Sequence, residues 1–509
     1  MMRVKKGRKN GGGEGLNVKG TGVRKIGKYQ NLCNMNQKYL TIPCIIGVAF
    51  SCKPTVQDEM KPNIIIFHVD DLGWTDLNCY GSDFYETPNI DGLASKGIKF
   101  TNAYAPAAIC SPSRASIQTG KYPPSTGITD WIRATFQKDT AIDYTNPPKY
   151  DLNEGKKMKT PFNQNFLALD EKTIGEYLKE NGYFTVHAGK WHLGEEGYYP
   201  TDQGYDVNIA GCDYGEPPSY FDPYFREGHH YPWGYEPPFS LPTLEPRERG
   251  EYLTNRLTDE VSRIIKENSD TSLFVFFNYY AVHTPIQGVD SLVEKYNQKE
   301  PGIHDNPEYA AMVEAVDLSI GRITSLLDSL ELNSNTLILF TSDNGGLGWV
   351  TDNYPLRSGK GTPFEGGIRV PFIAAWEGKI QGNRISDLPF TSMNILPTLG
   401  DIVGFEVEDG DGVSIAPIFF GENKKSIGEL FWHYPHYRGN QSPYSIIRRD
   451  SMKLIRFYDG DSLKLYNLKV DISEKNDLSE KLPRLANALN LKIDSLIKSS
   501  GAQLPAYKK

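Results

Sequence analysis

Three short, unbroken apolar runs, each leading into polar residues, constrain this chain more than any other feature. Ile64-Ile65-Ile66-Phe67-His68-Val69 runs into Asp70-Asp71, Leu273-Phe274-Val275-Phe276-Phe277 precedes His283, and Thr336-Leu337-Ile338-Leu339-Phe340 precedes Asp343-Asn344. Runs of this length without polar alternation read as strands buried on both faces, which occur in parallel sheets with helices on either side. Between the second and third runs, Met312, Val316, Ile320, Ile323 and Leu327 fall on one face of an amphipathic helix that would cover such a sheet. Alternation of these units over 62–405 predicts an α/β fold with a large, mostly parallel sheet flanked by helices. Open α/β sheets bind their ligands at the carboxyl ends of the strands. The polar residues after each run are therefore candidate site residues.

A length of 509 residues is too great for one ordinary core and implies a second, smaller unit. From about Phe431 the pattern changes to short strands at 445–448, 453–458 and 463–468, with Asp459-Gly460 as a turn and a helix over 483–498. We expect a catalytic domain over 62–425 and a C-terminal antiparallel sheet-plus-helix subdomain over 426–509. Residues 195–250 are rich in Gly, Pro, Tyr and His, with little periodicity. They read either as a substrate-selecting loop or as a plain surface insertion.

The amino-terminal end differs from the rest in charge. The whole chain carries 55 Lys/Arg against 63 Asp/Glu; residues 1–51 hold ten of the former and one of the latter, leaving 45 against 62 for 52–509. So acidic a body argues against nucleic acid as a partner, and an anionic substrate would need a locally basic site. The apolar run 39–50 is too short to span a bilayer but suits a signal-peptide core, although a buried strand is the alternative. Met35 would then be a natural start, with 1–51 as leader and 52–61 as tether. Ala49-Phe50-Ser51-Cys52 looks like a lipobox, so the expectation is export to the periplasm or cell surface, either by simple secretion or with membrane contact only through lipid on Cys52. Cys79, Cys110 and Cys212 remain inside the fold, which is no disulfide framework; a Cys79–Cys212 pair is left open.

Asp70, Asp71, Asp343 and Asn344 offer only oxygen donors, as a hard divalent cation such as Ca²⁺ requires, and no His/Cys set of the kind zinc prefers accompanies them. Each pair alone could equally be a helix cap or a turn. Cys110-Ser111-Pro112-Ser113-Arg114, followed by Thr119-Gly120, reads locally as the start of a helix, with proline in the first turn. Lys190 and His192 are two apart, so in an extended segment they would point the same way.

Taken together, Cys110-x-Pro112-x-Arg114, Gly189-Lys190-Trp191-His192-Leu193-Gly194, His283-Thr284-Pro285, Ser342-Asp343-Asn344-Gly345 and Gly359-Lys360-Gly361 with Glu365-Gly366-Gly367-Ile368-Arg369-Val370-Pro371 resemble the type I sulfatases. The likeness is to bacterial carbohydrate sulfatases in the alkaline-phosphatase-like superfamily. It implies that a formylglycine-generating enzyme oxidises Cys110 to formylglycine, whose hydrate supplies a nucleophilic hydroxyl and a second one that later expels sulfate. It also implies Ca²⁺ held by Asp70, Asp71, Asp343, Asn344 and the modified Cys110. Arg114 and Lys190 would serve the nucleophile and the sulfate, His192 would take a proton, and His283 with Lys360 would act on the leaving oxygen.

The implied activity is removal of sulfate from a sulfated oligosaccharide or polysaccharide such as ulvan, carrageenan or a glycosaminoglycan. Candidates for reading the sugar are Asp213, His433, His436 and Arg438, with Tyr214, Glu216, Trp131, Arg133 and Trp432 beside them. Two other readings are a phosphatase or phosphonate monoester hydrolase on the same fold, and an inactive glycan-binding lipoprotein. A zinc pair for the former would need further His and Asp ligands, and the single all-oxygen set argues against it.

Overall fold

The computed structural model describes residues 61–132, 147–224, 241, 243–245 and 247–508. The expected leader, lipobox and all of the tether but Lys61 lie outside the described residues, as does Arg133.

The predicted parallel sheet is present, with eight strands. In chain order these are β1 (Asn63–Val69), β2 (Ile98–Phe100), β3 (Phe184–Gly189), β4 (Val207–Ile209), β5 (Leu273–Asn278), β6 (Thr336–Ser342), β7 (Phe372–Ala375) and β8 (Arg384–Ser386). They are ordered β8-β2-β7-β6-β1-β5-β3-β4, and only β7 runs antiparallel to its neighbours. β1 lies at the centre, with Ile66 opposite both Phe276 of β5 and Leu339 of β6.

The helices that matter here are α1 (Pro88–Lys96), α2 (Cys110–Thr119), α3 (Ile174–Glu180), α4 (Leu253–Glu267), α5 (Pro307–Ser329), α6 (Ile395–Val403) and α7 (Pro483–Ser499). Strand side chains alternate between faces, and that alternation divides them between two cores. Ile65, Phe67, Val275, Phe277, Ile338 and Phe340 pack under α1, α4 and α5. Ile64, Ile66, Phe274, Phe276, Leu337 and Leu339 pack under α2, α3 and α6. Each such side chain, fully buried, contributes about 1.5–3 kcal/mol, and for that reason the runs contain so few polar residues. The helix over Pro307–Ser329 buries Met312, Val316, Ile320, Ile323 and Leu327, as their spacing predicts.

α2 is buried along its whole length. It ends at Gly120, whose φ of 68° closes the last turn by donating its amide to Ser116 O at 2.8 Å. That left-handed stop explains the glycine after Thr119.

A second sheet, fully antiparallel, comprises β9 (Leu430–Tyr434), β10 (Tyr444–Arg449), β11 (Met452–Phe457) and β12 (Ser462–Asn467). Three of these strands and the final helix match the sequence expectation; β9 is an addition. One face of this sheet packs Leu430, Trp432 and Ile446 against Ala107, Ala108, Ile109 and Cys110 at the start of α2. The other face packs Phe431, Ile447, Leu454 and Leu465 under Leu489, Ile493 and Ile497 of α7.

The described part of 195–250 is also more ordered than its composition suggested, since Val207–Ile209 forms the edge of the main sheet beside β3. Cys79, Cys110 and Cys212 are free thiols. Among the described residues no helix is long and apolar enough to cross a membrane.

Candidate active site

The carboxyl ends of β1, β3, β5 and β6 converge on the start of α2. Asp70 and Asp71 follow β1, Asp343 and Asn344 follow β6, Lys190 and His192 follow β3, and His283 lies shortly after β5. Ligand atoms of Asp70, Cys110 and Asp343 lie within 4.8 Å of one another, and so do those of Asp71, Cys110 and His283.

The backbone is held in costly conformations to achieve this. Asp71 and His192 both have positive φ, 61° and 60°, which for non-glycine residues costs of order 1–3 kcal/mol each. Asp71 is fixed there by its amide, which donates to Asp343 Oδ1 at 3.1 Å. Lys190 and His192 do converge on Cys110, but in the irregular segment that follows β3 rather than in an extended strand. Gly189, at φ 90°, sits so close to the Asn278 carbonyl that any side chain would collide with it.

Opposite charges interlock. Arg114 donates from Nε and Nη2 to Asp343 Oδ2 at 3.0 and 2.8 Å, and lies 3.4 Å from Asp70 Oδ1. Lys190 Nζ donates to Asp70 Oδ2 at 2.6 Å, and Lys360 Nζ lies 2.6 Å from Asp71 Oδ1. His283 Nε2 is 3.5 Å from Asp71 Oδ2, while its Nδ1 is 3.7 Å from Glu216 Oε2.

These contacts tune the titrating groups. Burial, joined by the Asp343 charge, holds the Asp70 carboxyl well above the usual carboxylate range. Burial would raise Asp343 too, but Arg114 and Lys190 outweigh it and keep that group ionised. Burial also works to raise the Cys110 thiol, yet Lys190, Lys360 and a hydrogen bond with His192 bring it well below the ordinary thiol value. Burial pushes His192 down to about 4, leaving a neutral ring at neutral pH. His283 goes the other way: burial and Lys360 oppose its charge, but Asp71 and Asp70 prevail and raise it.

The donor set fits a hard cation. Asp70 Oδ1 and Asn344 Oδ1 are buried without a hydrogen-bond partner, a condition that costs about 1–3 kcal/mol per group unless something else satisfies it. Both belong to the group of oxygens singled out in the sequence. Carboxylates and an amide oxygen at adjacent strand ends are the ligands that calcium or magnesium takes.

Beneath Arg114 lies a layer that no motif announced. Arg114 Nη1 donates to the Lys190 carbonyl at 3.0 Å and to Asn278 Oδ1 at 3.3 Å, and Asn278 bridges His68 at 2.7 Å and His187 at 3.0 Å. Burial lowers the two histidines to about 4 and about 3, so both are neutral supports. A histidine inside the run Ile66-Phe67-His68-Val69 was the available signal.

The sugar-reading candidates divide. Arg438 packs across Gly361, beside Lys360, and is half-buried. Asp213 is buried next to Cys212, whose carbonyl accepts the His192 amide at 2.8 Å. From the same segment Glu216 accepts from Thr284 Oγ1 at 2.7 Å beside His283. His436 is buried, its Nε2 2.7 Å from Thr129 Oγ1.

His433 is a correction. Both of its ring nitrogens are engaged, with Ser445 Oγ at 2.7 Å and the Gln503 carbonyl at 2.9 Å, and burial lowers it to about 4. It belongs to the interior of the small sheet and has no nitrogen left for a ligand.

The motif Glu365 to Arg369 acquires a place as well. Glu365 accepts from Tyr104 OH at 2.6 Å and from Lys453 Nζ at 2.9 Å, and Lys453 also pairs with Glu474 at 2.8 Å. The Glu365 amide donates to Glu474 Oε2 at 2.7 Å. This buried cluster ties the segment carrying Lys360 to the small sheet.

Comparison with known proteins gives a consistent result. The family model described as Sulfatase matches residues 62–405, and that described as N-sulphoglucosamine sulphohydrolase, C-terminal, matches 359–499. A sulfatase of Formosa agariphila is 31% identical over 507 residues, covering 88% of this chain and 90% of the relative. The N-acetylgalactosamine-6-sulfatase of Canis lupus familiaris is 30% identical over 383 residues, covering 71% of this chain and 66% of the relative. Among solved structures, that of Ps i-CgsB in complex with k-i-k-neocarrahexaose superposes with a TM-score of 0.71 at 30% identity, covering 86% of this chain and 93% of that one.

Proposed function

The chain belongs to the sulfatase family and is a sulfuric ester hydrolase; from that premise we propose that it removes sulfate from a carbohydrate, with Cys110 matured to formylglycine and Ca²⁺ held by Asp70, Asp71, Asp343 and Asn344. The observation that carries this reading is the setting of Cys110. It opens a buried helix within 4.8 Å of donor atoms from three carboxylates of the metal set, Asp70, Asp71 and Asp343, with Lys190 and Lys360 as its strongest cationic influences.

Once bound and matured, the two groups supply an acidified geminal diol as nucleophile and a positive centre against the sulfate oxygens. The chain's own residues do the rest. Lys190 and Lys360 place positive charge where an anionic ester must sit, which supports binding by a protein that is acidic elsewhere. Arg114 keeps Asp343 ionised and aligned. His192, neutral at working pH, is suited to accept a proton beside position 110; His283, whose protonated form Asp71 and Asp70 favour, is suited to donate one to the departing alcohol oxygen. The all-oxygen donor set favours this chemistry over a two-zinc phosphatase.

A carbohydrate substrate is supported by the neocarrahexaose in the complex of the similar Ps i-CgsB and by the named specificity of the N-acetylgalactosamine-6-sulfatase. Export as a lipoprotein through Cys52 remains part of the proposal, on the sequence pattern alone.

Mass spectrometry of the Cys110 peptide should find an aldehyde or its hydrate. A panel of defined sulfated oligosaccharides should identify a substrate that Cys110→Ala no longer desulfates while remaining folded. An unmodified Cys110 in active enzyme, or full turnover by Cys110→Ala, would sink the mechanism.

A further inference from the structure

Against the loop that carries Lys360 lies a groove of about 440 Å³, lined by Tyr85, His304, Asp305, Trp349, Asp352 and Ser358 among others. Gly359 forms part of its wall. The next residue is Lys360, whose ammonium contacts Asp71. The groove and the reaction centre even share a backbone support, since the Lys360 amide and Asn353 Nδ2 both donate to the Gly346 carbonyl, at 3.0 and 3.1 Å. Adjacent Cα atoms are about 3.8 Å apart, so the wall at Gly359 is the immediate chain neighbour of Lys360.

The lining defines the chemistry of an occupant. Trp349 is 73% exposed and Ile303, also in the lining, is 52% exposed. Exposed apolar groups that share one concave wall, unlike singly scattered ones, mark a binding surface. A flat indole offers a face for an aliphatic ring, and exposed Asp305 and Asp352 offer acceptors for hydroxyl groups. Among the described residues lining the groove there is no lysine or arginine. A sulfated sugar would therefore meet carboxylates without a counter-charge, whereas an uncharged sugar would not. The volume lies in the range that small ligands occupy.

We propose that this groove is a second glycan subsite, in which Trp349 stacks on an unsulfated sugar neighbouring the one that is desulfated. The inference rests on the carbohydrate reading of the active site. It makes the enzyme sensitive to chain length and sulfation pattern, by a surface separate from the sulfate-binding cations.

The test compares the full-length mature enzyme with Trp349→Ala and Trp349→Phe on three probes: a small aryl sulfate, the sulfated monosaccharide found active in the substrate panel, and an oligosaccharide carrying that sugar next to an unsulfated one. Wild type should show a KM about tenfold lower for the oligosaccharide than for the monosaccharide, the scale of one aromatic contact. Trp349→Ala should erase that advantage while leaving turnover of both small probes unchanged, and Trp349→Phe should keep most of it. An unchanged oligosaccharide KM in Trp349→Ala, or equal loss on all three probes, would overturn the subsite. The same advantage for an oligosaccharide sulfated on every sugar would overturn its assignment to an uncharged one. If aryl sulfate is turned over but no sulfated sugar in the panel is, the carbohydrate reading has failed first.

Discussion

Lys453→Met removes the single ammonium that two buried carboxylates share. Lys453 Nζ lies 2.9 Å from Glu365 and 2.8 Å from Glu474, and all three side chains are fully shielded from solvent. Glu365 keeps Tyr104 and Arg369 as partners; Glu474 Oε2 keeps only the Glu365 amide among its recorded partners. Breaking one buried pair typically costs about 3–5 kcal/mol.

The cost should depend on pH, and its sign follows from the two carboxyls. Burial tends to raise Glu365, but Lys453 and Arg369 overcome it and hold the group at about 2. Glu474 is raised, by burial first and then by the Glu365 charge, despite Lys453. Without the lysine, Glu474 rises further and takes up a proton on folding. A carboxyl raised in the folded state binds more protons there than when unfolded, so stability falls as pH rises through its folded value. The variant should therefore be hurt most at pH 8 and least near pH 5.

At roughly 2 cal/mol/K per residue over the roughly 420 described residues, 4 kcal/mol corresponds to a Tm drop of about 5 °C. We expect about that loss at pH 8 and about half at pH 5, with Lys453→Arg in between. Because the same cluster anchors the loop bearing Lys360, a displacement of about 1 Å there should also cost up to about 100-fold in kcat/KM on a poor leaving group. Circular dichroism melts at both pH values and aryl sulfate kinetics decide the matter. An equal Tm loss at pH 5 and pH 8 would refute the protonation argument, and an undiminished kcat/KM would refute the anchoring role.

Asp343→Ala should lose bound divalent metal and activity together, measured by elemental analysis and turnover, because it deletes a carboxylate that Arg114 holds ionised at the centre. Arg438→Ala should raise the KM for the sugar substrate several-fold with little change in Tm, whereas His433→Ala should leave KM unchanged and cost about 1–3 kcal/mol of stability by stranding its buried partners. Amino-terminal analysis of the native protein should find a lipidated Cys52, and Cys52→Ala should give a soluble or unprocessed form. Native chains beginning before Met35 would contradict that start and that anchor.

The candidate site residues that the structure gathers around Cys110 were legible because each sits in a short local pattern. Fully buried parallel strands leave continuous apolar runs, and their ends put Asp70, Asp71, Asp343 and Asn344 at one edge of the sheet. Local pattern was incomplete after β3: Lys190 and His192 meet Cys110 past Gly189 and a left-handed His192, a geometry the two-residue spacing does not contain. It misled at His433, where an aromatic and histidine-rich stretch looked like a sugar site but forms the strand Leu430–Tyr434.

What no pattern could supply are the partners that set the charges. Arg114 answers to Asp343 across 229 positions, His68 to Asn278 across 210, and Glu365 to Glu474 across 109. A buried ion is tolerable only with its counter-charge in place, so those distant residues decide whether Asp343 is ionised and where Lys360 rests. The motifs therefore identify the kind of chemistry, while the working state of each group is imposed by residues with which it shares no sequence neighbourhood. Substitutions at Asn278, Lys453 or Glu474 should accordingly disturb catalysis while leaving every recognisable motif intact.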